Sequence, residues 1–346
     1  MDRIRLCLRD GVYSDPFQFK PGVDEFNMLN APAPSMPTDY GTIYETGRVK
    51  DYSEGYVKVM GYWLFYRSFG DSGTKGNIMC LHGGPGAGQD GMTRMAKYAE
   101  EGYRVVMYDQ LGAGKSERPA SELLYSMERY VEEIEGVRTA LALGKVHLYG
   151  VSFGGFLSVG YAVKYSKNLA SLMTQSGTSS SPLAIAEMMR LRNEAPSWVH
   201  ETMDRCEASR DLHSTEYLTA ADYLYRQHTC RLDPLPPDIR FFPLQTKLED
   251  VNLVYKLMWG LHEFYPTGNA KYWDVTSQLE QIDCPTLVTC GSFDEITPKN
   301  AELLHDRIRG SELHIFEGCS HIVILENPSE FFQVLDRFLE QISQDR

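Results

Sequence analysis

One serine stands where a short apolar run gives way to a glycine-rich turn. Ser152 lies within Gly150-Val151-Ser152-Phe153-Gly154, after a strand-like run that ends at Tyr149 and before an apolar run with helical spacing. A sharp strand-to-helix turn holds such a hydroxyl out of the sheet edge, and it needs glycine at positions 150 and 154 because it presses those positions against their neighbours. The stretch therefore predicts that Ser152 is the nucleophile of an acyl-transfer reaction.

A serine nucleophile needs a base that takes its proton and an acid that orients the base. With the nucleophile on a turn of this kind, the acid and then the histidine follow along the chain, each on a loop after a strand. Asp294 follows the predicted strand 284–291, and His321 follows the predicted strand 312–316. We predict Asp294 as the orienting acid and His321 as general base and then general acid. The weaker candidates lie within predicted strands, a helix or an insertion: His147, His200, His213, His228, His305 and His314.

A second glycine-rich turn, His82-Gly83-Gly84-Pro85-Gly86, follows the first predicted core strand. A backbone N–H in such a turn can face the oxygen of the reacting carbonyl. We predict the N–H groups of Gly84 and Phe153 as the oxyanion site, with an ordinary tight turn as the alternative. Another run, Gly112-Ala113-Gly114-Lys115-Ser116, lacks the spacing of a nucleotide phosphate loop because Asp109 stands where the first glycine belongs.

Strand-like and helix-like segments alternate on both sides of these turns. An antiparallel hairpin is predicted over 56–69, strands over 78–81, 103–108, 145–149 and 169–175, and helices over 127–143 and 153–165. This alternation predicts an α/β fold with a mostly parallel sheet flanked by helices. The same alternation resumes with the strands 284–291 and 312–316 and the helices 298–309 and 329–342.

The segments between these two parts have a different composition. Residues 181–275 are rich in Met, Tyr and Trp, and they show helix-like stretches without a strand signal. We predict an inserted helical cap there. The predicted organisation is an N-terminal extension over 1–50, a first part of the core over 51–180, the cap over 181–275 and a second part of the core over 276–346.

Composition narrows the classes of partner. A net charge of -13 over 346 residues argues against nucleic acid and anionic membrane surfaces, which favour basic proteins. No signal peptide or membrane span is evident, and the odd number of cysteines without C-x-x-C pairs is typical of reduced thiols, so a cytoplasmic location is expected. No metal or cofactor is needed for the predicted chemistry. The cysteines are Cys7, Cys80, Cys206, Cys230, Cys284, Cys290 and Cys319.

Five motifs in one order carry a family resemblance. They are HGGPG at 82–86, DQLGAGKS at 109–116, GVSFGG at 150–155, GSFDEITP at 291–298 and GCSH at 318–321. Together they resemble the proline iminopeptidases of the α/β-hydrolase fold, over roughly residues 55–345. The resemblance implies an aminopeptidase that frees an N-terminal residue, preferably proline. In that family two carboxylates hold the free N-terminus; Glu295 matches the one directly after the catalytic aspartate, and Glu263 resembles the one in the cap.

The chemistry of an exopeptidase agrees with that implication. The substrate of an exopeptidase has a free ammonium group next to the scissile bond, and an internal peptide bond does not. N-acylation of the substrate would leave buried carboxylates unpaired, which costs several kcal/mol of binding free energy. The expected partner is a small peptide or amino-acid amide with a free N-terminus. An amino-acid amidase or small-ester hydrolase on the same scaffold is the alternative, and a receptor or scaffold without turnover is a third possibility. The motifs leave side-chain preference, pathway, oligomeric state and the role of residues 1–50 open.

Overall fold

A computed structural model of the protein describes residues 52–70, 74–236, 239, 241–244 and 252–344. The predicted N-terminal extension, 1–50, lies outside the described residues, as do Cys7 and part of the predicted cap. Within the described residues the chain forms ten strands and nine α-helices.

Eight strands form one twisted sheet. Their spatial order is β1-β2-β4-β3-β5-β6-β9-β10, and a separate two-stranded ribbon joins β7 and β8. Strands β1 and β2 are antiparallel to each other, β2 is antiparallel to β4, and every later neighbour in the order is parallel. The strands are β1 (Tyr52–Val59), β2 (Tyr62–Phe69), β3 (Gly76–Leu81), β4 (Tyr103–Tyr108), β5 (Val146–Val151), β6 (Leu169–Gln175), β7 (Gly260–His262), β8 (Tyr265–Pro266), β9 (Thr286–Gly291) and β10 (Glu312–Phe316).

Helices cover both faces of this sheet. The helix Phe153–Tyr165 follows β5, and eleven of its thirteen residues are buried, so it runs through the core rather than along the surface. The predicted α/β-hydrolase fold class, a mostly parallel sheet flanked by helices, is confirmed. The α-helices are Met127–Ala140, Phe153–Tyr165, Ser181–Glu194, Ser197–Ser209, Thr215–His228, Leu253–Met258, Pro298–Arg307, Val323–Glu326 and Pro328–Gln344. Short 3-10 helices cover Gln89–Ala99, Glu122–Leu124, Ser166–Asn168, Asn269–Tyr272 and Thr276–Gln281.

The opening hairpin shows how local chemistry sets the fold. Met60 and Gly61 connect β1 to β2 with φ angles of 49° and 93°. Two positive φ values in a two-residue connection twist the chain in the same sense as the flanking strands, which favours a tight antiparallel pair. The hairpin predicted around Met60-Gly61 is therefore present, and its second strand joins β4 at the edge of the parallel sheet.

Two features of the elements differ from the expectations. Residues 181–275 were expected to be mostly helical, and the ribbon of β7 and β8 there was not anticipated. These strands have three and two residues, too few to show an alternating pattern. The helix predicted over 127–143 ends at Ala140, because Ala142 adopts a φ of 52° that a helix cannot continue through.

The parallel arrangement brings several loops to one edge. The carboxyl ends of β3, β5, β6 and β9 are neighbours in the sheet, so the turns that follow them converge. Those turns, together with the loop after the neighbouring strand β10, contain the predicted site residues except Glu263, which lies in the turn of the ribbon. Among the described residues, each helix is too short or too polar to span a bilayer.

Candidate active site

Ser152 occupies the turn between β5 and the helix Phe153–Tyr165. Its φ of 57° and ψ of −126° place it in a backbone region that side chains rarely adopt, and its N–H donates to Gln175 O at 3.0 Å. An added Cβ would lie 2.2 Å from Gly154 O at position 150 and 2.2 Å from Leu81 O at position 154. Only glycine at both positions lets the turn close this tightly.

His321 and Asp294 are joined at the same edge of the sheet. His321 Nδ1 lies 2.7 Å from Asp294 Oδ1, and both side chains are buried. The Ser176 hydroxyl donates to Asp294 Oδ2 at 2.5 Å, and the Ile296 N–H donates to Oδ1 at 2.9 Å. With donors on both oxygens, the carboxyl group acts as an acceptor and directs the Nδ1–H of the imidazole toward itself. The other ring nitrogen, Nε2, is then the one available for proton transfer.

Gln175 connects the serine turn to the histidine loop. Its carbonyl accepts the N–H of Ser152 at 3.0 Å, and its side-chain amide donates to His321 O at 3.0 Å. The Tyr149 hydroxyl holds the amide oxygen at 2.8 Å. This one residue at the end of β6 therefore fixes the nucleophile turn and the base loop relative to each other.

The histidine loop is also tied to the segment after the helix Thr215–His228. The N–H of His321 donates to His228 O, and the N–H of Ile322 donates to Thr229 O, both at 3.1 Å. The Glu326 carboxylate joins the two segments again by accepting from Ser320 and from the Arg231 N–H. The base is consequently positioned by the segment between β6 and β9 as well as by the sheet.

Glu295 and Glu263 converge on the same imidazole from two different elements. Glu295 Oε1 lies 3.7 Å from His321 Nε2, and its other oxygen accepts from the Thr229 hydroxyl. Glu263 follows β7, and its carboxylate accepts from the Tyr255 hydroxyl. Its own N–H donates to the Tyr225 hydroxyl at 3.0 Å. The two acids that the family resemblance singled out therefore both act on the base electrostatically, from the loop after β9 and from the turn of the ribbon.

Burial and mutual repulsion shape the charges of this group. Burial raises the pKa of Glu263 to about 6, and burial together with the neighbouring Glu263 raises the pKa of Glu295 well above its usual range. Burial alone would lower the pKa of His321, but the carboxylates of Asp294, Glu295 and Glu263 outweigh it and raise that pKa to about 10. The imidazole and the carboxylates thus stabilise each other's charged forms, while burial opposes both.

The glycine turn after β3 lies directly against the nucleophile. An added Cβ on Gly83 would be 2.9 Å from Ser152 Cβ and 3.4 Å from its Oγ, whereas one on Gly84 would meet the backbone of Gly86 and Ala87. Gly84 has a φ of 115°, so it needs glycine for backbone reasons. Phe153 is the first residue of its helix, where N–H groups have no intrahelical acceptor. The oxyanion roles of Gly84 and Phe153 stay predictions.

Four of the other histidines have hydrogen-bond partners elsewhere in the fold. His147 Nδ1 pairs with the Ser171 hydroxyl at 2.8 Å inside the sheet, and His314 Nε2 pairs with Glu330 at 3.0 Å. His305 pairs with Ser311 at 3.0 Å. His82 holds its own loop, because its Nε2 accepts the Gln110 N–H at 3.0 Å. These contacts agree with the prediction that His147, His305 and His314 are weaker candidates for the base.

Sequence reasoning missed four residues of this site. Gln175, Ser176, Thr229 and Tyr255 touch the predicted residues through hydrogen bonds that cross from one element to another. Polar residues of these types are common on any surface, and none of the four lies in a recognisable motif. The one usable signal was the position of Gln175 and Ser176 at the end of a predicted strand.

Comparisons with known proteins agree with one another. A model of the alpha/beta hydrolase fold family matches residues 76–328. Proline iminopeptidases of Thermoplasma volcanium and Saccharolobus solfataricus are 37% and 36% identical, over 83% and 84% of this chain and 97% and 93% of theirs. The crystal structure of a proline iminopeptidase from Mycobacterium smegmatis shares 32% identity with a TM-score of 0.77, and the alignment covers 85% of this chain and 99% of that one.

Proposed function

Because the chain belongs to the proline iminopeptidases of the α/β-hydrolase family, we propose that it is a serine aminopeptidase that releases an N-terminal residue, preferably proline. The resemblance noted in the sequence is confirmed. The expected substrates are small peptides or amides whose N-terminus is free. An amino-acid amide shares its acyl half with a peptide, so the proposal covers both leaving groups.

The proposed reaction uses an acyl-enzyme. Ser152 Oγ attacks the carbonyl carbon while His321 Nε2 takes its proton, and Asp294 keeps the imidazole in the required tautomer. The N–H groups of Gly84 and Phe153 are the proposed donors to the oxyanion. His321 then returns the proton to the leaving amine, and a water molecule repeats the sequence to free the acid.

The observation that carries amine recognition is a pair of carboxyl groups without a cationic side chain of their own. Among the described residues, neither Glu263 nor Glu295 forms an ion pair with a lysine or arginine, and the cation nearest to Glu295 is the His321 ring. A substrate ammonium would supply the missing charge and hydrogen-bond donors. Internal peptide bonds lack that group, so the same pair would select chain ends.

The proposed location and partners rest on the cysteines and the net charge. The six described cysteines are free thiols, which suits a reducing compartment, and a cytoplasmic location stays a prediction. The net charge of -13 supports the expectation that nucleic acid and anionic membranes are not partners.

The proposal is tested with L-prolyl p-nitroanilide beside its N-acetyl form. We expect the wild type to prefer the free amine by about 100-fold or more, since acylation leaves buried carboxyl groups unpaired. Glu263→Gln and Glu295→Gln should lose most of that preference, mainly through a higher KM for the free amine. The exposed acid Glu201 provides the control variant Glu201→Gln, which should behave as wild type. Equal wild-type rates on both anilides would overturn the proposal.

A further inference from the structure

The nitrogen of His321 that must accept the serine proton already faces an acid. Asp294 occupies Nδ1 at 2.7 Å, and Glu295 Oε1 lies 3.7 Å from Nε2. The Ser152 hydroxyl makes no hydrogen bond to any described residue. Glu295 is therefore within ion-pair distance of the nitrogen that has to accept the serine proton.

The groups around His321 are mostly acidic on every side. Asp294 and Glu295 face it from the loop after β9, and Glu263 faces it from the ribbon. From the inserted segment comes His228, whose carbonyl accepts the His321 N–H and whose own pKa is lowered by burial. The cations that act in this region, Arg190 and Arg231, act on His228, and Arg231 is stacked 3.8 Å from the centre of the Phe293 ring.

We infer that Glu295 is a gate as well as an amine ligand: with the amine site empty it holds His321 as the imidazolium, and a substrate ammonium that pairs with Glu295 and Glu263 frees the imidazole to act as base. This inference rests on the proposed function. An imidazolium has no lone pair on Nε2, so it cannot take the proton of Ser152. The substrate's positive charge replaces that of the imidazolium, and the displaced Nε2 proton passes to bulk water.

The raised pKa of His321 agrees with this gate, because burial lowers that pKa and the same three acids raise it. The consequence is a form of specificity that acts on the rate. A simple binding pocket would make amine-free substrates bind poorly. A gate also denies them a working base at neutral pH, and removing the charge of Glu295 would restore that base.

A gate predicts that Glu295→Gln hydrolyses a substrate without an amine faster than wild type does, whereas a simple binding pocket predicts no such increase in rate. The probe is p-nitrophenyl cyclopentanecarboxylate, which has the five-membered ring of a prolyl ester but no amine. The rate of ester hydrolysis is measured between pH 5.5 and 9.5. At pH 7 we expect Glu295→Gln to hydrolyse this ester about 10-fold faster than wild type. The reason is that a shift of the acid limb of the pH–rate profile by one pH unit changes the rate tenfold. The same variant should be slower than wild type on L-prolyl p-nitroanilide, and Glu201→Gln should match wild type on both.

An ester rate in Glu295→Gln that is equal to or below that of wild type, with an unmoved acid limb, would overturn the gate. That result would leave the wild-type preference for a free amine untouched, so failure of the gate and failure of the proposed function are distinguishable.

A second measurement does not depend on altering Glu295. In the Ser152→Ala variant, the imidazole proton resonances of His321 are followed by NMR at pH 7 with and without L-prolinamide. The spectrum of the double variant Ser152→Ala, His321→Gln identifies these resonances by their absence. We expect the charged form without the amide and the neutral form at saturation. A ring that is neutral at pH 7 without the amide, or one that keeps its charge when the amide binds, would refute the inference.

Discussion

At the scale of single residues, the orientation of the catalytic groups depends on how few hydrogen-bond partners are available to each polar atom. Asp294 accepts from Ser176, Ile296 and His321 with both oxygens engaged, and it is almost fully buried. Such a carboxyl group can serve only as an acceptor, which fixes the direction of the imidazole. The tautomer of His321 is therefore a property of the buried surroundings rather than of the histidine itself.

Replacing Asp294 by asparagine tests this dependence. The amide would place N–H donors against the hydroxyl, the backbone N–H or the imidazole, so His321 would favour the wrong tautomer. We expect Asp294→Asn to lower kcat for L-prolyl p-nitroanilide by on the order of 10³- to 10⁴-fold with a smaller change in KM. Asp306→Asn, at an exposed acid on the helix Pro298–Arg307, is the control. A kcat within tenfold of wild type would contradict the assigned orientation.

The sequence was informative about these residues where chain order and turn chemistry agree. Ser152, Asp294 and His321 each follow a predicted strand, and parallel strands end at one edge, so their proximity could be expected. The hydrogen bonds of Gln175 and Thr229 could not, because they join positions far apart in sequence through side chains with no distinctive pattern. The distance between Glu295 and the base also required coordinates.

At the scale of elements, the serine turn is a close contact between three backbones. The start of the helix Phe153–Tyr165 packs against the ends of β3 and β5, and no side chain fits between them. The strained φ of Ser152 is held in place by this packing. The glycines are thus part of the element's geometry.

Adding one methyl group at this contact tests the claim. We expect Gly154→Ala to destabilise the protein by about 1–3 kcal/mol, because its Cβ would lie 2.2 Å from Leu81 O. The turn should also shift and lower kcat. Urea unfolding and anilide hydrolysis measure the two effects. Gly91→Ala is the matched control, since its Cβ would have no atom within 4 Å. Equal stability of the two variants would count against the packing described here.

Elements were predictable in proportion to their length and burial. The strand Tyr103–Tyr108 and the helix Phe153–Tyr165 have the predicted bounds, because both are long, apolar and ended by turn residues. The ribbon Gly260–Pro266 was not foreseen. Its strands have three and two residues, too few to show an alternating hydrophobic pattern in the sequence. The position of Glu263, in the turn of this ribbon, was therefore not predictable either.

At the scale of the whole molecule, one buried acid stands apart from the reaction. Glu133 on the helix Met127–Ala140 is fully buried; one oxygen accepts the Leu111 N–H at 3.1 Å and the other has no partner among the described residues. Burial raises its pKa from about 4.5 to about 8. Between pH 4.5 and about pH 8, Glu133 therefore keeps its proton in the folded protein and loses it in the unfolded chain. The free energy of unfolding consequently falls as the pH rises through this range.

Glutamine at this position would remove that dependence. We expect Glu133→Gln to gain stability relative to wild type by about 3 kcal/mol between pH 5 and pH 7.5, because the variant has no proton to lose. Its amide oxygen can still accept from Leu111. Urea unfolding of both proteins at the two pH values measures the difference. A difference in stability that does not change with pH would show that Glu133 is ionised in the folded protein at both values.

The molecule as a whole brings distant segments to one imidazole. The sheet supplies Ser152 and Asp294, the inserted segment supplies Glu263 and Thr229, and the closing part of the chain supplies His321. In the proposed complex, the two glutamates bind the amine of the N-terminal residue of the substrate, and Ser152 attacks the carbonyl carbon of the same residue. Specificity and catalysis thus share the same few charges.

The most direct test of this account is the location of the acyl group. The enzyme is mixed with a prolyl p-nitrophenyl ester, quenched in acid within milliseconds and digested for peptide mass mapping, with Ser152→Ala treated in parallel. The account predicts a prolyl group on Ser152 in the wild type and neither a prolyl adduct nor turnover in the variant. A prolyl group on another residue, or undiminished turnover by Ser152→Ala, would contradict it.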